Sequence, residues 1–293
     1  MFWQRGLAKA GMLIPRFLLG SKNRTKIKYL AANVPPWERD VNTNGPKVDP
    51  WAFIRVHNEA KTIVQSLNSI KDIITKGVIA FHGCTDGTEE LVYKFCEDNK
   101  GYIPYRYPYE VVPAGDPRYE GFVPYENTLA AYYNATLSLI PMGEWFIKVD
   151  ADMICFPDIL KKSFYLPRAD KDCVLYSRLD LLYKNGELMA NSYKRPGDQW
   201  LIRRDEETKF ENTTIVKNGR PYGYEILNKG KRRVICSECS WLHFPFIKGW
   251  RSSLDGISAF DLDDFLNRLP DYEIDKSIFS KNNLEKIYSQ FEV

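Results

Sequence analysis

Trp145-Phe146-Ile147-Lys148-Val149-Asp150-Ala151-Asp152 is the stretch on which the reading of this chain turns. A short apolar run ends in two carboxylates separated by one small residue. Runs of about five apolar residues mark strands buried in a parallel sheet, and open α/β sheets place ligands just beyond the carboxyl ends of their strands. The run therefore predicts a strand that delivers Asp150 and Asp152 to a binding edge. Two hard oxygen donors there suit Mg²⁺ or Mn²⁺ and, through the cation, the phosphates of a nucleotide. Asp-x-Asp at a strand end also serves as a helix cap or a solvated loop, so the surroundings decide.

Those surroundings alternate. Ala52 to Val56 reads as a first strand, and Ile63, Leu67, Ile70 and Ile74 then recur on one helical face. Gly77 to Phe81 makes a second apolar strand, followed by the loop Cys84-Thr85-Asp86-Gly87-Thr88 and a helix burying Leu91, Val92 and Phe95. Ile103 to Tyr107 is a third, proline-interrupted strand, and a helix is expected from about Tyr125 to Ile140. This order predicts a doubly wound α/β sheet with helices on both faces, of the nucleotide-binding kind. Beyond residue 160 the character changes. Val174 to Leu179 reads as a strand, and Asn185-Gly186 marks a tight hairpin between Leu181-Leu182-Tyr183 and Leu188-Met189. The remainder is expected to mix short strands with polar loops.

The 293 residues, 44% hydrophobic and 14% aromatic, suffice for a large core. We divide them into a basic segment and linker (1–49), a nucleotide-binding half (50–160), an acceptor-binding half of the same domain (161–260) and a C-terminal helical segment (261–293). A net charge of +3, with no basic patch interleaved with aromatics in mid-chain, argues against nucleic acid as a partner. Charge is uneven, however: Arg5, Lys9, Arg16, Lys22, Arg24, Lys26 and Lys28 all precede the first acidic residue, Glu38. Phe2, Trp3, Leu13, Ile14, Phe17 and Leu18 lie among them without forming a membrane span or a signal peptide. Residues 1–29 fit an interfacial helix on an anionic membrane, and fit equally a helix packed on the domain with a solvated basic face. Six scattered cysteines read as reduced thiols and the compartment as cytoplasmic; Cys236-Ser237-Glu238-Cys239 lacks the partners of a zinc site.

In a parallel sheet the first two strand ends and the Asp150/Asp152 loop open on one edge. Arg55, Asn58 and Glu59 follow the first strand, where Arg55 suits a diphosphate and Asn58 suits either a base contact or a helix cap. Asp86 suits a nucleobase imide or ribose hydroxyl, although Asp-Gly is also an ordinary turn. Downstream, His243 in an aromatic setting reads as a core histidine or a ligand. Lys248 and Arg251 read as diphosphate contacts or surface charge.

Taken in order, Pro50-Trp51-Ala52-Phe53-Ile54-Arg55-Val56 with Asn58-Glu59, Cys84-Thr85-Asp86-Gly87, Tyr107-Pro108-Tyr109-Glu110, Lys162-Ser163-Phe164-Tyr165, Tyr176-Ser177-Arg178 with Asp180, Pro196-Gly197-Asp198 and His243-Phe244-Pro245-Phe246 resemble the bacterial β-1,4-N-acetylgalactosaminyltransferases of lipooligosaccharide synthesis. The similarity runs from about residue 50 to about residue 250. It implies a GT-A glycosyltransferase with a Rossmann-like sheet and a mixed C-terminal half. It also implies that Asp150 and Asp152 bind the metal, that Asp86 belongs to a uridine site, and that His243 is a further metal ligand. The stretches 187–198 and 203–233 depart from the family phrases, and acceptor choice is expected there.

The resemblance thus implies a metal-dependent, inverting transfer of a sugar from a UDP-sugar, with GalNAc favoured over galactose, GlcNAc or glucose. The acceptor it implies is a hydroxyl of a surface glycan such as lipooligosaccharide or capsule, an oligosaccharide or a glycolipid, with the enzyme peripheral on the inner face of the membrane. A carboxylate must take the acceptor proton, and Asp198, Asp180 and Glu238 are the candidates in that order, with a turn (Asp198) and an ion pair to Arg178 (Asp180) as the plainer readings. The alternatives are a nucleotidyltransferase, which lacks its glycine-rich loop here, and a non-catalytic carbohydrate-binding or membrane-scaffold protein.

Overall fold

A computed structural model describes residues 41–217, 219–247, 254, 256–271 and 274–291. The expectations for residues 1–29, Lys248 and Arg251 fall outside this set. The chain forms two compact units, each assembled from separated stretches of sequence.

One unit comprises residues 49–152 and 201–230. It contains β1 (Trp51–Val56), α1 (Ile63–Ile70), β2 (Gly77–Phe81), α2 (Thr88–Asp98), β3 (Tyr102–Arg106), α3 (Leu129–Ser138) and β4 (Trp145–Asp150). The four strands lie in the order β3-β2-β1-β4, all parallel. β1 and β2 are central, and Ala52, Phe53, Ile54, Val78, Ile79 and Ala80 are all fully buried, which is why these strands read as unbroken apolar runs. Gly77 is required where β2 starts: a Cβ there would stand 2.8 Å from Ala52 Cβ. Helix α1 buries Ile63, Leu67 and Ile70 on one side, as the 3.6-residue spacing predicts.

Helix α3 starts later than expected. Thr128 caps it, accepting from Ala131 N–H, and residues 125–127 form a separate 3₁₀ turn. Residues 201–230, placed by sequence in the second half, return to this unit. Leu201–Arg203, the end of β7 (Glu187–Arg203), pair antiparallel with β4. The hairpin of β8 (Lys209–Lys217) and β9 (Arg220–Asn228) docks through Phe210, which stacks on Phe53 with ring centres 5.6 Å apart. Asn134 clamps the same point: its amide donates to Phe210 O and its carbonyl accepts from Phe210 N, both at 2.8 Å.

The other unit takes, of the described residues, those within 41–48, 153–200 and 231–293. Its strands β5 (Met153–Cys155), β6 (Asp172–Lys184), β7 as far as Trp200 and β10 (Arg233–His243) follow the order β7-β6-β10-β5. β10 runs parallel to β6 and antiparallel to β5. Helix α4 (Pro157–Ser163) follows β5, and α5 (Leu262–Arg268) and α6 (Lys281–Tyr288) supply Leu262, Leu266 and Leu284 to a core shared with Leu179, Leu181, Leu242 and Phe244. The β6–β7 turn is the one expected: Asn185 and Gly186 have φ of 56° and 85°, as a two-residue type I′ hairpin demands. The strands themselves are long, up to 17 residues in β7, where short strands and polar loops were expected. The six cysteines are thiols, as their scatter predicts.

Candidate functional site

Arg55 and Asp150 are register partners on the adjacent parallel strands β1 and β4. Their side chains meet: Arg55 Nη2 donates to Asp150 Oδ1 at 2.9 Å, and Nη1 donates to Phe53 O at 3.0 Å. The guanidinium also lies over two rings, 4.5 Å from the centre of Phe53 and 4.4 Å from that of Tyr133. Burial alone would lower the Arg55 pKa, but Tyr133 and Asp150 outweigh it, and Arg55 is held charged. Lys148, one turn of the pleat before Asp150, places Nζ 3.1 Å from Asp150 Oδ2. Each oxygen of Asp150 thus faces a cation, with the side chain 24% exposed. Asp152 is buried, at 2% exposed.

These residues suit a divalent ion of one particular kind. Among the described residues no group of three or more His, Cys, Asp and Glu side chains stands together to cage a metal. Mg²⁺ and its relatives are commonly held by one or two carboxylates with the remaining positions filled by water and substrate phosphate. Asp150 and Asp152 are hard oxygen donors of that kind, with Asp150 already facing Arg55 and Lys148 and Asp152 buried. Arg55 and Lys148 at the same strand end fit the phosphates.

The loops after β1 and β2 are tied to one another. Asn58, at φ 54°, accepts from Thr85 N at 2.8 Å, and Asp86 Oδ2 accepts from Ala60 N at 3.0 Å. Asp86 Oδ1 accepts from Thr88 N and Thr88 Oγ1. Burial tends to raise the Asp86 pKa, but the bonds from Thr88 and Ala60 prevail and hold it below the usual carboxylate range. Glu59 is buried; its N–H donates to Thr88 Oγ1 at 2.7 Å and its carboxylate accepts from Thr62 Oγ1. Asn58, Glu59 and Asp86 therefore build the strand-end edge itself. Sequence reasoning missed what lies beside them: His57 Nδ1 donates to His82 O at 2.8 Å, and the two imidazoles stack with centres 4.5 Å apart. It also missed Lys148, Tyr133 and Glu225. Lys148 had a signal, a lone cation inside an apolar run; Glu225 had none.

In the other unit a second polar network surrounds Asp180. Its Oδ1 accepts from His243 Nδ1 and Arg178 Nε, each at 2.8 Å, and its Oδ2 accepts from Ser192 Oγ at 2.7 Å. His243 and Asp180 are register partners on β10 and β6. Arg178 Nη1 donates further to Asp198 and to Gln199 Oε1. Burial works to raise the Asp180 pKa, yet His243, Arg178 and Ser192 hold it low. In the neutral His243 ring a proton on Nδ1 puts the lone pair on Nε2, the tautomer that carboxylate-oriented metal ligands use. Asp180 and Asp198 are both engaged with cations, so the ion-pair reading of Asp180 holds; Glu238 is half-buried on β10.

Residues 36–292 match the sequence profile of the family described as Beta-1,4-N-acetylgalactosaminyltransferase (CgtA). The chain belongs to the CgtA family. The match covers nearly the whole chain and both units, so the likeness read from short phrases between residues 50 and 250 extends through α5 and α6. As a CgtA family member the protein is an enzyme, a glycosyltransferase of a GalNAc-transferring family, and uses a sugar donor and an oligosaccharide acceptor. Comparison with curated proteins returns no match. No helix among the described residues is long and apolar enough to cross a membrane.

Proposed function

We propose that this protein is a metal-dependent, inverting GT-A glycosyltransferase that moves GalNAc from UDP-GalNAc to a hydroxyl of a surface glycan of the lipooligosaccharide or capsule type. The observation that carries the proposal is the meeting of Arg55, Lys148 and Asp150 at the carboxyl ends of β1 and β4, one residue before buried Asp152. Parallel strand ends are where nucleotides bind in such sheets, and a leaving diphosphate needs positive charge around it.

Arg55 and Lys148 supply that charge from the protein. Arg55 is well suited, because it is fixed between two rings and two acceptors and pays little reorganisation when the phosphate charge develops. Asp150 and Asp152 would hold a Mn²⁺ or Mg²⁺; such an ion would neutralise charge on the departing diphosphate. The loop tied by Asn58, Glu59 and Asp86 shapes the uridine end, and Asp86 keeps acceptor capacity beyond the bonds it makes to Thr88 and Ala60. The family's β-1,4 product from an α-linked donor requires attack from the opposite face of the sugar, hence a single displacement with a base for the acceptor hydroxyl. Residues 1–29 give the basic, aromatic character that would bring the enzyme to the inner face of the membrane, where a glycolipid acceptor is found.

Incubation of the full chain with a panel of UDP-sugars, with and without Mn²⁺, tests this reading. UDP release and glycan product are expected with UDP-GalNAc and Mn²⁺. Consumption of a different nucleotide sugar, with every UDP-sugar left intact, would sink it together with the uridine assignment of Asp86.

A further inference from the structure

The β8–β9 hairpin carries a carboxylate that nothing in the local sequence singles out. Glu225 pairs across the hairpin with Asn212, two positions from the Phe210–Leu227 pair. Side chains alternate along strands, so Glu225 shares the face of Phe210, the ring that stacks on Phe53 of β1. Arg55 is two residues beyond Phe53 on that same side of β1. Glu225 is consequently brought to the strand ends that hold the candidate site. Its charged neighbours confirm the placement: Lys148 and Asp150 on β4 and Arg55 on β1 act on it, and it acts in turn on Tyr133 of α3 and on Tyr119.

Glu225 is half-buried, yet among the described residues its only hydrogen bond comes from its own backbone N–H. The carboxylates of the other network are spoken for. Asp180 takes bonds from His243, Arg178 and Ser192, and Asp198 is paired with Arg178, which weakens both as proton acceptors. Burial pushes the Glu225 pKa upward instead, the direction that strengthens a base.

Building on the inverting transfer described above, we propose that Glu225 is the general base. Its carboxylate accepts the proton of the acceptor hydroxyl as that oxygen bonds to the anomeric carbon. The bond from the anomeric carbon to the β-phosphate oxygen breaks at the same time, and its electron pair leaves with UDP. Lys148 and Arg55 oppose protonation of Glu225, against the burial that favours it, and supply positive charge for what the diphosphate gains.

The test compares Glu225→Gln and Glu225→Asp with the wild-type full chain, using UDP-GalNAc, Mn²⁺ and a lipooligosaccharide acceptor. Glu225→Gln is expected to lower kcat by about 10²–10⁴-fold, the usual worth of a positioned base, with UDP-GalNAc affinity by calorimetry within about 3-fold. The acidic limb of the kcat pH profile should shrink in the variant to the part that belongs to the neighbouring carboxylate of Asp150, because Arg55, Lys148, Tyr133 and Tyr119 do not change charge there. Glu225→Asp should keep part of the rate. A kcat within about 5-fold of wild type overturns the proposal, as does parallel loss of rate and donor affinity, which would make Glu225 a binding contact. Should Glu225→Gln fail to fold, Glu225→Asp decides: an unchanged kcat refutes the base, and a fall of about tenfold or more at constant donor affinity supports it. Wild-type protein that consumes no UDP-sugar overturns the transfer reading itself and this assignment with it, an outcome distinct from a wild type and a Glu225→Gln that both transfer.

Discussion

Replacing His82 by phenylalanine should make the protein less sensitive to mild acid. His82 is buried, stacked on His57 and edge-on to Tyr132, and its Nδ1 has no hydrogen-bond partner among the described residues. Burial and the neighbouring His57 lower its pKa from 6.5 to about 4, against a small opposing effect of Glu110. In the unfolded chain the same imidazole takes up its proton near its ordinary value. The unfolded state therefore binds the extra proton first, and stability is lost as pH falls from about 6.5 toward about 4, while above that window His82 has no effect. Between about pH 7.5 and about pH 5 the loss amounts to about 2 kcal/mol, a sizeable part of a typical 5–15 kcal/mol. Phenylalanine keeps the ring contacts and removes both the titration and the unpaired nitrogen. Urea unfolding of wild type and His82→Phe at the two pH values checks the difference directly. Other groups titrate alike in both proteins, so the variant should lose about 2 kcal/mol less than wild type. Equal losses would refute the reasoning.

Two further perturbations address the two polar networks. Arg55→Met removes the cation at Asp150 Oδ1 and should destabilise by about 2–3 kcal/mol, less than the ~3–5 kcal/mol of a fully buried pair because Asp150 is partly solvated; a urea-unfolding change below about 1 kcal/mol would contradict this. Asp180→Ala takes from Arg178 one of its two carboxylate partners, Asp198 remaining, and from His243 Nδ1 its acceptor, and should cost about 2–3 kcal/mol at neutral pH. Because the Asp180 pKa is depressed in the fold, its contribution is present above the unfolded value near 3.9 and fades as pH falls through the lower folded value, so the two proteins should converge only below about pH 4. Convergence already at about pH 6 would contradict this.

Strands β1, β2 and β4 were legible because burial on both faces demands continuous apolar runs, and the β6–β7 turn because φ above zero at two successive positions selects Asn-Gly. Strands β8 and β9 were not. Lys209-Phe210-Glu211-Asn212-Thr213-Thr214-Ile215-Val216-Lys217 buries Phe210 at 5% exposed while Ile215 and Val216 stay 45% and 75% exposed, so no alternating apolar face announces it. Helix α3 was placed too early because the 3₁₀ turn over 125–127 was read as its first turn and the Thr128 cap was passed over. At the site, residue types at strand ends could be read directly, hence Arg55, Asp86 and Asp150. Their partners depend on register and on chain that returns from far away. The pairing of Arg55 with Asp150 needs β1 beside β4, and the environment of Glu225 is made wholly by residues of β1, β4 and α3. His57 and His82 escape for the same reason, since their stack exists only once β1 and β2 are neighbours.

The account rests on a divalent cation bringing the donor diphosphate to the carboxylates after β4. Calorimetric titration of UDP into the full chain and into Asp152→Asn, each with and without Mn²⁺, tests it most directly. Wild type is expected to bind UDP in a Mn²⁺-dependent manner, and Asp152→Asn to lose at least about tenfold in affinity, worth about 1.4 kcal/mol, at an unchanged Tm. UDP binding of equal strength in all four titrations, or none in any, would contradict it.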